Sequence, residues 1–336
     1  MNRLQEILAE YGATKLLARG GHAEIYEIDA ATVLRVEYDY GGRLDLQSNR
    51  EINMREIQKV LSRTDIIPKI HAFKLYAADD MRPKYGWFSA TKMERLDILN
   101  WSEWRTVFSE HDLIVRLFNV YRRLLDAGIL HRDATMNNII LTRSGSIKMI
   151  DFDDTCLANT TEYNNSKMQI QFCQEPPGQT PGFYDPRVHL LDDDDNVTPA
   201  QTAQFQMLKK LFPEYDIGTI VKPVKEWTAA TLRQAMIFSA GASLLSIITG
   251  KDPLAVDHSD ISNLSKDARI AIRAAMDLNL DNRKLVSIKL VANTDIIERL
   301  ARRGYPKLAA LRSVQSGGVR TRSRSRPRKE KIDGCI

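Results

Sequence analysis

Ile129-Leu130-His131-Arg132-Asp133-Ala134-Thr135-Met136-Asn137-Asn138-Ile139-Ile140-Leu141, followed after a short turn by Ile150-Asp151-Phe152-Asp153, decides how this chain is read. The apolar runs Ile139 to Leu141 and Met149-Ile150 read as two short strands. Thr142-Arg143-Ser144-Gly145-Ser146 between them is rich in turn formers. Such a hairpin brings Asn138 and Asp151 to neighbouring strand ends, close in space although separated in sequence. Asn138 then offers an amide oxygen and Asp151 a carboxylate, the hard oxygen ligands that Mg²⁺ prefers. Asp133 is left to orient a hydroxyl and accept its proton. A cation site beside a proton acceptor is what phosphoryl transfer from a nucleotide requires, because there the protein mostly positions groups and neutralises charge.

These residues resemble the signature of the protein kinase superfamily: His-Arg-Asp, a few variable residues, Asn, and then Asp-Phe-Gly. His131, Arg132, Asp133 and Asn138 match at the family spacing. Asp151 and Phe152 match the start of the second motif, and Asp153 stands in place of its Gly. The resemblance is to a divergent Ser/Thr protein kinase, viral ones included. It implies an α+β, bilobal protein-kinase-like fold. Residues 1–94 would form a small β-rich N-lobe with one main helix, and 95–311 a larger, mostly α-helical C-lobe. It also implies ATP and Mg²⁺ as cofactors and a protein substrate. Asp133 would be the catalytic base and Asn138 and Asp151 the metal ligands. Arg132 would be the cation that meets an activating phosphate.

Further segments extend the resemblance. Thr180-Pro181-Gly182-Phe183-Tyr184-Asp185-Pro186-Arg187 is similar to the end of a kinase activation segment, with Thr180 beside the substrate hydroxyl. Arg187 stands where the family has a Glu that pairs with a buried Arg, and Arg283 holds that partner position. Two arginines cannot form the pair, so the tie must be rebuilt or lost. Phe238 to Thr249, followed by Gly250 and Pro253, resembles the central C-lobe helix. Its apolar run is too short and too rich in Ser and Gly for a membrane span, which needs about 20 apolar residues.

In the N-terminal part, Leu17 to Tyr26 resembles the Gly-rich loop that covers the phosphates, with Gly20 as its one clean match. Glycine there lets backbone N–H groups approach phosphate oxygens. Thr32-Val33-Leu34-Arg35-Val36 falls where the family carries its phosphate-contacting Lys; here the cation is Arg35. Arginine forks well onto phosphate or carboxylate but is wider than lysine. Glu56, or alternatively Glu51, is the expected partner of Arg35. Lys92-Met93-Glu94-Arg95-Leu96 resembles the hinge that receives the adenine, with Met93 at the back of the pocket and Glu94 and Leu96 along its edge. Leu17, Ile25, Val33 and Ile140 would sandwich the ring.

The 336-residue chain is long enough for two packed lobes. Asp112 to Gly128 reads as an amphipathic helix that feeds directly into His131. About 188–230 reads as an insertion in the C-lobe, with the acidic run Asp192 to Asp195 starting a helix. Residues 312–336 differ in kind. Arg312 to Lys331 carries a net +7 against +5 for the whole chain, which leaves −2 for the remainder. The basic character therefore belongs to the tail, which has no apolar period and is expected to be disordered. Nucleic acid or nuclear import machinery is its expected partner, and its Ser and Thr are open to phosphorylation. Cys156, Cys173 and Cys335 show neither metal spacing nor a disulfide framework. With a polar N-terminus, cytoplasm or nucleus is the expected setting, with no membrane.

Two alternatives stand beside an active protein kinase. Arg35 for Lys, Thr135 for the Lys that steadies the γ-phosphate, Ala23 for Gly and Asp153 for Gly fit a catalytically impaired scaffold. A small-molecule phosphotransferase of the aminoglycoside or choline kinase type shares the Asp-to-Asn spacing and an acidic residue at Asp153. Those relatives lack the Thr180 to Pro186 motif.

Overall fold

The computed structural model describes residues 3–20, 23–39, 65–77, 87–100, 103, 105, 108–131, 133–152, 155–157, 180–189, 199–217, 221, 224 and 227–286. All of them lie in the compact unit Met1–Leu290; Val291–Ile336, which includes the basic tail, is a separate unit outside the described residues. The fold is α+β, with an antiparallel five-stranded sheet in the N-terminal part and helices in the C-terminal part.

The sheet comprises β1 (Lys15–Arg19), β2 (Ala23–Glu27), β3 (Thr32–Asp39), β4 (Ile70–Ala77) and β5 (Trp87–Glu94), in the order β1-β2-β3-β5-β4. Side chains alternate between its faces. Tyr26, Leu34, Val36, Tyr76, Phe88 and Ala90 share one face and pack on Ile7 of helix α1 (Arg3–Tyr11). The opposite face carries Ile25, Val33, Arg35, Thr91 and Met93, in register across three strands (Ile25 with Arg35, Arg35 with Thr91, Val33 with Met93). That second face forms one wall of a cleft. Between β1 and β2 the register slips at Leu17, a bulge that adds both Leu17 and Ala18 to the same wall.

Helix α2 (Glu110–Asp126) starts two residues before the expected Asp112 because Ser109 and Asp112 form a capping box. It ends at Gly128, whose φ of 70° suits glycine. Strand β6 (Ile129–Leu130) follows and pairs with β9 (Cys156–Leu157). Between these lies the hairpin of β7 (Ile139–Leu141) and β8 (Ile147–Met149), closed through Gly145 at φ 81° and hydrogen bonds of the Thr142 hydroxyl.

Helix α3 is Pro199–Leu211 and helix α4 is Ala229–Thr249. Helices α5 (His258–Asn263) and α6 (Lys266–Ala275) follow. The apolar run at Phe238 is only the second half of α4, which starts at the Thr228 cap and is 21 residues long. By length and composition α4 would cross a membrane, but 78% of its apolar window is buried inside the fold. A core helix with no polar face has this composition too. At Gly241 an added Cβ would lie 2.6 Å from Met276 Cγ and 2.9 Å from Ala275 Cβ, so glycine lets the end of α6 pack directly on α4. Helix α3, inside the expected insertion, buries Met207, Leu208 and Leu211, and Gln204 donates to the Tyr184 carbonyl. It packs as part of the helical body. Asp192 to Asp195 lie outside the described residues.

Candidate active site

The loop from His131 to Asn138 is pinned from below by the helices. The Ser243 hydroxyl of α4 donates to the Ala134 carbonyl at 2.7 Å and lies 2.9 Å from the Tyr121 hydroxyl of α2. His131 is buried, with Nε2 2.9 Å from the Ile150 carbonyl and its ring edge-on to Phe152 at 4.9 Å. On this base, Asp133 is gripped at both carboxylate oxygens. Asn138 Nδ2 donates to Asp133 Oδ2 and to its carbonyl, each at 2.8 Å. Thr180 Oγ1 donates to Asp133 Oδ1 at 2.7 Å, across 47 residues of sequence. A carboxylate has about four acceptor positions, so Asp133 keeps capacity for a further hydroxyl.

Asp151 stands next to this cluster. The Ile150 N–H donates to the Asn138 carbonyl at 2.9 Å, which sets Asp151 just beyond the paired strand ends. Its φ of 62° is the one left-handed value among described non-glycine residues. Such a conformation costs about 1–3 kcal/mol and persists where surrounding structure imposes it, often at functional sites. Asn138 has committed its amide nitrogen to Asp133, so its Oδ1, an acceptor, is the polar atom left for a ligand. An amide oxygen beside a carboxylate fits a Mg²⁺ ion that draws its remaining ligands from phosphates and water. Among the described residues no three His, Cys, Asp or Glu side chains gather into a metal cluster, and such an ion does not need one.

The cleft above has a volume of about 540 Å³. Leu17, Ile25 and Val33 line it from the sheet, Ile140 and Ile150 from the hairpin, and Thr91 and Met93 at the back. Arg35, Asn138 and Asp151 form its polar end. Of the residues expected to hold a nucleotide, Gly20 is not in the described lining; its N–H closes the hairpin on the Ala23 carbonyl at 2.8 Å. The Glu94 side chain turns away, with Oε2 accepting from the Lys69 N–H and Lys148 Nζ, each at 3.0 Å. Glu94 Oε2 is therefore committed to Lys69 and Lys148. Leu96 lines the edge, and no described residue hydrogen-bonds its N–H. Arg35 Nη2 lies 2.8 Å from Glu37 Oε1 and 3.1 Å from Asp151 Oδ1. Glu56, Glu51, Arg132 and Asp153 lie outside the described residues.

The conflict between Arg187 and Arg283 is resolved by a residue the sequence reading passed over. Asp185 is fully buried between them: Oδ1 accepts from the Arg187 N–H at 2.9 Å and from Nη1 at 3.2 Å, and Oδ2 accepts from Arg283 Nη1. Burial pushes the Asp185 carboxyl up, but Arg283 and then Arg187 outweigh it and hold it below the usual carboxylate range. Arg283 also donates to the Asp277 carbonyl at 2.8 Å and stacks on Phe238 of α4. The segment bearing Thr180 is thus riveted to the helical body. The signal was local, an Asp two residues before Arg187, but its third member is 98 residues away. Lys148 was missed for the same reason, since its partners come from other strands and loops, and Glu37 pairs both with Arg35 in its own strand and with Ser89 of β5.

Compared with protein-family models and with curated proteins, the chain matches none.

Proposed function

We propose that the chain is an ATP-dependent Ser/Thr protein kinase with a bilobal, protein-kinase-like fold. One observation carries this: the hydroxyl of Thr180, the carboxylate of Asp133 and the amide of Asn138 form one hydrogen-bonded cluster at the polar end of an apolar cleft. The apolar walls suit a flat base, and the N–H of Leu96, which no described residue bonds, suits an acceptor on its edge. Arg35 suits the phosphates, to which a guanidinium donates in a fork. Bound Mg²⁺, held by Asn138 Oδ1 and Asp151, would supply charge neutralisation for the phosphates. Arg35 would then pass from Asp151 to the nucleotide.

Asp133 accepts the proton of the acceptor hydroxyl as its oxygen attacks the γ-phosphorus and the bond to the β–γ bridging oxygen breaks, releasing ADP. Thr180 fixes the carboxylate's rotamer and borders the place where that hydroxyl must lie. A loop residue contributing to the acceptor side favours a protein Ser or Thr over a small metabolite.

Thr135 favours a second reading, a nucleotide-binding scaffold. It is buried and brings no charge to the γ-phosphate. Incubating purified protein with γ-labelled ATP, Mg²⁺ and either a mixed set of proteins or a set of aminoglycosides and choline-like alcohols separates the choices. Label on protein Ser or Thr is expected. Nucleotide binding without transfer would indicate the scaffold, and label on metabolites alone a small-molecule phosphotransferase.

A further inference from the structure

We propose that Lys148 is a positioning residue that locks the base-binding edge of the cleft to the hairpin carrying Asn138 and Asp151, and so sets the selectivity for the nucleotide base. The inference rests on the nucleotide-site reading above. Lys148 sits in β8 between Ile147 and Met149 and is 5% exposed. A buried ammonium is costly unless its charge and donors are met. All three donors are met from outside the hairpin: Asp65 Oδ1 at 2.8 Å, Glu94 Oε2 at 3.0 Å and the Ile67 carbonyl at 3.4 Å. Burial works against the charged amine, but the bonds from Asp65 and Glu94 outweigh it and hold its pKa above the ordinary lysine value.

The partners define what the cation positions. Glu94 is the last residue of β5 and is held three ways. Its N–H donates to the Lys69 carbonyl at 2.8 Å, and its carboxylate accepts from the Lys69 N–H and from Lys148. The chain then turns to Leu96, which lines the edge of the cleft. A second strut runs beside the first, from the Met149 N–H to the Ile66 carbonyl at 2.7 Å. At the other end, Lys148 lies three residues before Asp151. One ammonium thus spans the edge that reads the base and the turn that holds the cation. Without it, Glu94 loses its counter-charge and the segment running on to Leu96 loses a tie to the hairpin. The cluster of Asp133, Asn138 and Thr180 makes no bond to Lys148, so the proton-accepting group keeps its partners.

The test uses full-length protein and titration calorimetry with Mg-ATP, Mg-GTP and Mg-tripolyphosphate. Lys148→Met is expected to weaken ATP about tenfold and to narrow the ATP-to-GTP preference, with tripolyphosphate changed less than about twofold. Asp65→Asn removes one counter-charge at an exposed carboxylate and carries little folding risk; a weakening of ATP of about two- to threefold with the same base dependence is expected. Equal losses for ATP and tripolyphosphate, or no change in either variant, would overturn the inference. Wild-type protein that binds tripolyphosphate but does not distinguish the bases would overturn it too, while leaving the phosphate site standing. Wild-type protein that binds none of the three would overturn the nucleotide reading, and this inference with it.

Discussion

Replacing Asp185 by Asn keeps the shape of the side chain and removes its charge, leaving Arg187 and Arg283 facing each other in a site that excludes water. Removing one partner of a buried ion pair costs about 3–5 kcal/mol. Here two guanidinium groups lose their counter-ion, although the Leu278 and Asp277 carbonyls still accept from them. A loss of about 3–4 kcal/mol follows, a large part of the roughly 5–15 kcal/mol that separates folded from unfolded chains. Urea unfolding followed by circular dichroism reads it as a lower midpoint at pH 7. The pH dependence gives an independent check. The folded carboxyl of Asp185 titrates below its unfolded value of about 3.9, so its contribution is present above that pH and is lost as pH falls through the folded pKa. The gap between wild type and Asp185→Asn must therefore narrow in acid. A variant within about 1 kcal/mol of wild type at neutral pH would refute the charge-swapped tie.

Other substitutions probe neighbouring parts. Arg35→Ala should weaken Mg-ATP binding about tenfold or more while Arg35→Lys retains it; unchanged affinity in the alanine variant would assign the phosphates to another cation. Thr180→Val removes the donor to Asp133 and should lower kcat about 10–100-fold with little change in KM for ATP. A KM effect alone would place Thr180 outside the transfer step. Gly241→Ala should lower the melting temperature, because the overpacking cost of about 1–3 kcal/mol exceeds the helix-propensity gain of roughly 1 kcal/mol. A raised melting temperature would mean that α4 and α6 yield more readily than their contacts suggest.

Local pattern exposed some of this architecture and long-range pairing concealed the rest. The hairpin after Asn138 was legible because its strands are apolar and its turn is Ser- and Gly-rich, and α2 because its apolar side repeats and Gly128 stops it. Helix α1 was legible but passed over: Leu4, Ile7, Leu8 and Tyr11 share one side at helical spacing. The same holds for α6, where Ala268, Ala271, Ile272 and Ala275 follow the Ser265 cap. In α4 the apolar residues run all round, so composition marked the second half of the helix and gave no cue to its start. At the site, the sequence named Asp133, Asn138 and Asp151 through their spacing. The role of Lys148 was not legible, because its partners are brought by folding from elsewhere, and Glu37 and Asp185 each combine a partner two residues away with one from a distant segment, Ser89 and Arg283. Arg35 shows the limit from the other side: strand pattern placed it, but its contact with Asp151 spans 116 residues.

The most direct measurement is the single-turnover rate of γ-phosphate transfer from Mg-ATP to a protein Ser or Thr by wild type and Asp133→Asn, with ATP affinity measured on both. The account predicts unchanged affinity and a rate lowered by about 10²–10⁴ in the variant, the usual contribution of a positioned proton acceptor. Equal transfer by the two proteins would contradict it.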